Sequence, residues 1–177
     1  MLEISRPHLA LVGLMGAGKT IVGSAFAKRI HWRHLDLDAT IENSVGRSVG
    51  VIFAESGEEK FRDLEEESLS LVLSKKKSLV LSTGGGVVKR SKNRDALSER
   101  AVVIWLRAKP ETLVKRISHL SDRPLLSHGK PLEILTELAR DRDSFYREVA
   151  DEIIDTDNLD IESVVEALEQ LVGQKAG

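Results

Sequence analysis

The sequence predicts a three-layer, doubly wound α/β domain, in which helices cover both faces of a five-stranded parallel sheet. Short apolar runs alternate along the chain with segments of helical periodicity, and most of these runs are apolar on both faces. Strands of that kind, separated by helices, are typical of parallel sheets that are buried on two sides. The 177 residues contain neither a repeat nor a linker, so residues 1–177 are expected to form one domain.

Five apolar runs are assigned to strands, and helical segments lie between them. The predicted strands are residues 8–12, 34–37, 78–81, 101–106 and 152–155. The predicted helices are residues 20–30, 39–45, 51–73 with a break near Gly57, 111–118 after Pro110, 131–148 and 161–171. A polar segment without periodicity, at about residues 119–131, is predicted to be a mobile lid.

The composition excludes several classes of protein. The chain has 41% hydrophobic and 31% charged residues, as ordinary globular proteins do, and its formal net charge is −2. Binding to nucleic acid or to a membrane surface normally requires a basic excess, so neither partner is expected. The absence of cysteine excludes disulfides and thiolate zinc sites. No apolar run reaches the ~18 residues of a membrane span and no signal peptide is visible, so a cytoplasmic location is expected.

The first strand leads directly into a glycine-rich segment, Gly13-Leu-Met-Gly-Ala-Gly-Lys-Thr20. Gly13, Gly18, Lys19 and Thr20 have the spacing of a phosphate-binding loop, whose backbone N–H groups surround a phosphate at a helix N-terminus. Lys19 is expected to reach the β- and γ-phosphates of ATP, and the Thr20 hydroxyl is expected to bind Mg²⁺. A dinucleotide-binding loop is the main competing interpretation, but it requires a glycine at the position of Ile21.

The second strand ends in Asp36-Leu37-Asp38, which places two carboxylates at its carboxyl end, where open α/β sheets bind ligands. If both residues continue the strand, their side chains share one face and reach one cleft. Asp36 then suits a role beside Mg²⁺, and Asp38 suits the orientation or deprotonation of an accepting hydroxyl. The alternative for Asp38 is to cap a helix that begins at Ala39.

The third strand ends in Thr83-Gly84-Gly85-Gly86 and carries no carboxylate for a metal, which leaves Asp36 as the expected metal carboxylate. Consecutive glycines expose backbone N–H groups to a polar ligand that approaches closely. A plain flexible turn is the alternative interpretation of this run.

Three arginines are candidates for binding anions, and two of them have simpler explanations. Arg62 precedes a run of glutamates, and by itself it suggests an exposed helical salt bridge. Arg142 lies between two aspartates, which suggests a solvated ion pair. Arg123 belongs to the irregular segment, where a guanidinium group can close over phosphates and stabilise the transferring charge.

Taken together, these segments resemble the shikimate kinases over roughly residues 8–172. The resemblance rests on the phosphate loop and on Asp36-Leu-Asp38, Gly57-Glu-x-x-Phe-Arg62, Thr83-Gly-Gly-Gly86, Arg123-Pro-Leu-Leu126 and Arg142-x-x-x-Tyr146-x-Glu-Val-Ala150. It implies a kinase that uses ATP and Mg²⁺ to phosphorylate the 3-hydroxyl of shikimate, in the biosynthesis of aromatic amino acids. It also implies the strand order 2-3-1-4-5, substrate-binding helices at about residues 38–74 and a lid that closes over ATP.

The resemblance assigns roles to individual residues as well. The residues implied in shikimate binding are Asp38, Arg62, Gly84, Gly85, Gly86 and Arg142, with the two arginines on the substrate carboxylate. The residues expected to contact ATP are Gly16, Ala17, Gly18, Lys19, Thr20, Ile21, Arg116 and Arg123, with Arg116 stacked on adenine. The catalytic residues are then Lys19, Asp38 and Arg123, and the metal ligands are Thr20 and Asp36. Shikimate and ATP are the only expected partners, and a monomer is the expected state.

The sequence departs from the family pattern at two places. The family loop usually reads Gly-Lys-Ser-Thr, whereas Thr20 and Ile21 follow Lys19 here, so a hydroxyl near the nucleotide phosphates is missing. Residues 155–158 lack the basic residue that some members place against adenine. Two other functions stay open: a related sugar-acid kinase such as a gluconate kinase, and a nucleotide-binding module without catalysis.

Overall fold

The computed structural model describes residues 6–117 and 130–172 of the chain. Its centre is a parallel sheet of five strands with the order β2-β3-β1-β4-β5, which confirms the predicted topology. The strands are β1 His8–Val12, β2 Arg33–Asp36, β3 Leu79–Ser82, β4 Ala101–Arg107 and β5 Glu152–Asp155. The three central strands are buried almost throughout, as the apolar runs predicted.

Helices flank the sheet and begin or end close to the predicted positions. They are α1 Lys19–Arg29, α2 Leu37–Val45, α3 Val49–Leu73, α4 Ser91–Arg100, α5 Pro110–Ile117, α6 Pro131–Val149 and α7 Ile161–Val172. The predicted break in the third helix is confirmed, because Gly57 has the non-helical angles φ 79° and ψ 172° inside α3. In the described part of the chain, no helix combines the length and apolarity needed to cross a membrane.

Helix α4 was missed by the sequence analysis. Its ten residues are mainly polar or charged, and only Asn93 and Leu97 are buried. A helix that buries so little of its surface has no apolar stripe for periodicity to detect. A short 3₁₀ helix, Val87–Lys89, connects the glycine run after β3 to α4 and was also not predicted.

The parallel arrangement brings the chemically interesting segments to one edge of the sheet. The register pairs Leu11 of β1 and Asp36 of β2 with Ser82 of β3, so the three strands end side by side. The phosphate loop, the two aspartates and the glycine run therefore leave the sheet together. The predicted lid at residues 119–131, with Arg123, lies outside the described residues except for its last two positions, where α6 begins.

Candidate active site

The glycines of the phosphate loop have conformations that other residues rarely adopt. Gly16 and Gly18 have φ values of 81° and 89°, in the left-handed region that favours glycine. Helix α1 follows at Lys19, and no side chain caps its first turn. The N–H groups of that turn therefore remain available to a bound phosphate, which the helix dipole also favours.

Lys19 lies over the phosphate loop. Its side chain is only 8% exposed, and its ammonium group donates hydrogen bonds to the carbonyl oxygens of Gly13 and Leu14, each at 2.8 Å. These bonds keep the charge at the mouth of the loop, where the terminal phosphates of a nucleotide are expected.

Thr20 and Asp36 meet beside the loop. The Thr20 hydroxyl donates a hydrogen bond of 2.6 Å to Asp36 Oδ2, while Asp36 Oδ1 accepts one of 3.1 Å from the Ala39 N–H. Asp36 is therefore the N-cap of α2. The proposed capping role of Asp38 was wrong, and so was its placement on the strand, because Asp38 lies in the first turn of α2.

The pair of Thr20 and Asp36 is suited to Mg²⁺ and not to a metal ion whose ligands all come from the protein. Mg²⁺ usually takes one or two protein oxygens and completes its octahedron with water and substrate phosphates. The described residues contain no cluster of three or more His, Asp or Glu side chains able to hold a metal. Thr20 and Asp36 supply the one or two protein oxygens that a Mg²⁺ site usually has.

A cavity of about 820 Å³ extends from the phosphate loop towards α5 and α7. Every residue predicted to contact ATP within the described chain lines it, namely Gly16, Ala17, Gly18, Lys19, Thr20, Ile21 and Arg116. The guanidinium group of Arg116 donates to Thr156, at 3.0 Å to the hydroxyl and 2.5 Å to the carbonyl oxygen. That contact fixes the plane of Arg116 at the far end of the cavity.

A second, smaller pocket lies between the glycine run, α3 and α6. It is lined by all of the residues predicted to bind shikimate, namely Asp38, Arg62, Gly84, Gly85, Gly86 and Arg142. Apolar side chains of Met15, Val49, Phe53 and Phe61 complete its wall. Asp38, Gly84 and Gly85 also line the larger cavity, so these three residues form the boundary between the two compartments.

The two arginines of the smaller pocket are buried, each with 5% exposure. The interpretation of Arg62 as a helical salt bridge is confirmed, but its expected exposure was wrong. Its guanidinium group pairs with the buried Glu65 of the pocket wall at 2.7 Å and with the partly exposed Glu58 at 3.2 Å. The interpretation of Arg142 as a solvated pair was wrong for the same reason. Two buried guanidinium groups make the pocket suitable for an anionic ligand.

Glu65 is a pocket residue that the sequence analysis did not identify. Its side chain is 0% exposed, and among the described residues Oε1 has no hydrogen-bond partner. Burial raises the pKa of Glu65 to about 6, although the neighbouring Arg62 lowers it. The signal was present in the helical spacing, since Phe61, Glu65 and Leu69 recur every four residues on the buried face of α3.

The raised pKa of Glu65 predicts a pH dependence of folding stability. An unfolded chain ionises this group near its ordinary value of 4.5, whereas the folded protein does so near 6. The contribution of Glu65 is therefore complete below about pH 4.5 and is lost as the pH rises through 6. Relative to Glu65→Gln, the wild-type free energy of unfolding should fall by about 2 kcal/mol between roughly pH 4.5 and 7.

Urea denaturation of both proteins across that pH range measures the difference. A difference that stays constant with pH would show that Glu65 ionises at its ordinary pKa in the folded protein.

The glycine run is tightly enclosed by the site. A Cβ atom on Gly84 would lie 2.8 Å from Asp38 Oδ1 and 3.0 Å from Glu65 Oε1, and one on Gly86 would lie 2.5 Å from Arg62 Cζ. A Cβ on Gly85 would touch the Gly13 carbonyl oxygen and the Met15 N–H nitrogen at 3.4 Å. A Cβ atom on Gly84 or Gly86 would therefore displace a neighbouring charged side chain, whereas one on Gly85 would make ordinary van der Waals contacts.

The chain is similar throughout most of its length to one known family. A family model described as "Shikimate kinase" matches residues 15–172. The chain belongs to the shikimate kinase family. It is 46% identical over 155 residues to a shikimate kinase of Cupriavidus pinatubonensis, covering 88% of this chain and 80% of that protein. It is 43% identical over 171 residues to a shikimate kinase of Nitrosococcus oceani, covering 96% of this chain and 90% of that protein.

Solved structures agree with the family assignment. A shikimate kinase from Acinetobacter baumannii in complex with shikimate superposes with a TM-score of 0.90 at 36% identity, covering 94% of this chain and 93% of that one. A gluconokinase from Sinorhizobium meliloti superposes with a TM-score of 0.57 at 20% identity, covering 93% of this chain and 91% of that one. The latter likeness extends to the fold alone.

Proposed function

We propose that this protein transfers the γ-phosphoryl group of ATP to the 3-hydroxyl of shikimate, which yields shikimate 3-phosphate and ADP. One observation carries the proposal: a pocket with two buried arginines opens onto the phosphate-loop cavity across Asp38, Gly84 and Gly85. An anionic acceptor in that pocket would have its hydroxyl next to the phosphate loop. The family membership supplies the identity of the acceptor.

The acceptor pocket suits a small hydroxylated acid. Arg62 and Arg142 are proposed to hold the substrate carboxylate, because a guanidinium group matches the planar geometry of a carboxylate. The backbone of the glycine run is proposed to contact the hydroxyl groups of the ring. Asp38 at the boundary is proposed to orient the attacking hydroxyl and to accept its proton.

The nucleotide is proposed to bind with its phosphates in the loop and its base near Arg116. Lys19 would stabilise the charge that develops on the transferred group. Mg²⁺, held by Thr20 and, through water, by Asp36, would neutralise the phosphate oxygens when bound. Arg123, outside the described residues, is proposed to contact the phosphates from the lid that excludes water. The whole chain is proposed to work as a single domain and as a cytoplasmic monomer.

Ile21 is an unusual residue in the proposed nucleotide site. Its side chain is 59% exposed and lines the larger cavity directly after Thr20. We expect Ile21→Thr to lower the KM for ATP about threefold, because a hydroxyl at this position can donate to a phosphate oxygen. ATP titrations at saturating shikimate measure the change. The matched control is Leu71→Thr, which alters a similarly exposed side chain of α3 outside that cavity; equal KM values for Ile21→Thr and wild type would contradict the expectation.

The proposed function is tested by following ADP release from ATP and Mg²⁺ with shikimate, with gluconate and without an acceptor. We expect release that depends on shikimate and exceeds the rate with gluconate at least about a hundredfold, because gluconate lacks the rigid ring that fills the pocket. Faster release with gluconate would favour the sugar-acid kinase alternative. ATP binding without turnover on either acceptor would favour a silent nucleotide-binding module.

A further inference from the structure

Tyr146 is a buried residue with no role so far in the reaction. It is the only tyrosine of the chain, and its side chain is 1% exposed on α6, one helical turn after Arg142. Its ring centroid lies 5.3 Å from that of Trp105 on β4. Its hydroxyl donates a hydrogen bond of 2.5 Å to the carbonyl oxygen of Gly85. The residue thus joins α6 to the middle of the glycine run.

The glycine run needs an external support, since it has no side chains of its own. The carbonyl oxygens of Gly84 and Gly86 accept bonds from the N–H groups of Val87 and Lys89, at 3.2 and 3.0 Å. These are local bonds of the short 3₁₀ helix. Within the described residues, the Gly85 carbonyl accepts a hydrogen bond only from Tyr146.

The amide groups of the run point to a ligand-binding role. Among residues 6–117 and 130–172, no acceptor is found for the N–H groups of Gly84, Gly85 and Gly86. All three residues line the acceptor pocket. A peptide plane held by its carbonyl oxygen presents the following N–H group in a fixed direction. The bond from Tyr146 to Gly85 therefore sets the orientation of the Gly86 N–H.

Tyr146 lies next to the arginine of the same pocket. Arg142 and Tyr146 are four residues apart on α6, and both are buried on the same face of that helix. Burial raises the pKa of Tyr146, against the opposing effect of Arg142, so the hydroxyl keeps its proton and remains a donor. The hydroxyl of Tyr146 is thereby linked to the backbone of the pocket, beside Arg142.

We propose that Tyr146 is a positioning residue for the phosphoryl acceptor, which fixes the Gly85–Gly86 peptide in the geometry that binds the substrate. The inference rests on the proposed function, because it takes the smaller pocket to be the acceptor site. Tyr146 does not line that pocket. It acts only through the peptide that it holds.

The variant Tyr146→Phe tests this role, because it removes the hydroxyl and keeps the ring beside Trp105. We expect the KM and the Kd for shikimate to rise about tenfold, as the loss of one buried hydrogen bond within a binding site allows. The Kd for ATP should stay within about twofold of the wild-type value. Equal shikimate affinities of the variant and the wild type would overturn the proposal, whereas a wild type that does not turn over shikimate would overturn the proposed function instead.

A matched control separates positioning from general stability. His8→Phe removes another buried hydrogen bond, from the His8 ring to the Leu73 carbonyl at 3.1 Å, at the opposite end of β1. We expect His8→Phe to lower the melting temperature without changing the shikimate KM. An equal rise of the shikimate KM in His8→Phe and Tyr146→Phe would mean that lost stability explains both, and would overturn the proposal.

A second measurement, ¹⁹F NMR, uses the protein without any substitution. Because Tyr146 is the only tyrosine, incorporation of 3-fluorotyrosine places a single ¹⁹F label beside the Gly85 carbonyl. Saturating shikimate should shift this resonance, and gluconate at the same concentration should leave it unchanged. A resonance that does not respond to saturating shikimate would overturn the role of Tyr146.

Discussion

Replacing Asp38 by asparagine is expected to lower kcat at least about a thousandfold, while the Kd for ATP stays within about twofold. Asp38 is the carboxylate shared by the acceptor pocket and the phosphate-loop cavity. An amide of the same size can accept a hydrogen bond from a hydroxyl but cannot take its proton. General base catalysis typically contributes ~10²–10⁴ in rate, which sets the size of the expected loss.

The measurement is steady-state ADP release together with a titration of fluorescent ATP. Asp141→Asn provides the control, because it makes the same change at an exposed position of α6, next to Arg142. That variant should keep wild-type rates. If the Asp38→Asn enzyme kept most of the wild-type kcat, Asp38 would not be the general base, whatever the identity of the acceptor.

A single methyl group on Gly84 is expected to have the next largest effect. In Gly84→Ala the new Cβ would lie 2.8 Å from Asp38 Oδ1 and 3.0 Å from Glu65 Oε1, so both carboxylates must move. The backbone itself can accept alanine, since Gly84 is not among the glycines with a positive φ. We expect kcat/KM for shikimate to fall about a hundredfold, as a displacement of about 1 Å of a catalytic group can cause.

The Gly84→Ala protein should still fold and bind ATP, which circular dichroism and nucleotide titration would measure. Gly46→Ala is a suitable control, because a Cβ there meets no atom within 4 Å although φ is 71°. That variant should lose about 1 kcal/mol of stability through backbone strain and keep its kinetics. Unchanged kinetics in Gly84→Ala would mean that the positions of Asp38 and Glu65 do not limit the reaction.

The sequence predicted the features that depend on local spacing. Gly13 to Thr20 follow an apolar run and precede a helical one, which is sufficient to predict the loop and its place at the sheet edge. The strand order required the family resemblance, because periodicity identifies strands but does not order them. Both predictions are confirmed at the level of the fold.

Residues whose environment is created by the tertiary structure were harder to interpret. Arg62 and Glu65 belong to a run of charged residues, and their burial depends on the glycine run that packs against α3 from elsewhere in the chain. Asp38 was treated as a strand residue, because a helix that begins two residues earlier than predicted cannot be distinguished by spacing alone. Tyr146 was recognised only as part of a motif, since its partner Gly85 is 61 positions away.

The position of the transferred phosphate decides whether this protein phosphorylates the 3-hydroxyl of shikimate. The enzyme is incubated with shikimate, ATP and Mg²⁺, and the product is examined by two-dimensional ¹H–³¹P correlation NMR. We expect one new phosphomonoester whose phosphorus couples to the proton on C3 of shikimate, formed in equal amount to ADP. Phosphorus coupled to the proton of another ring carbon, or ADP formed with inorganic phosphate alone, would contradict it.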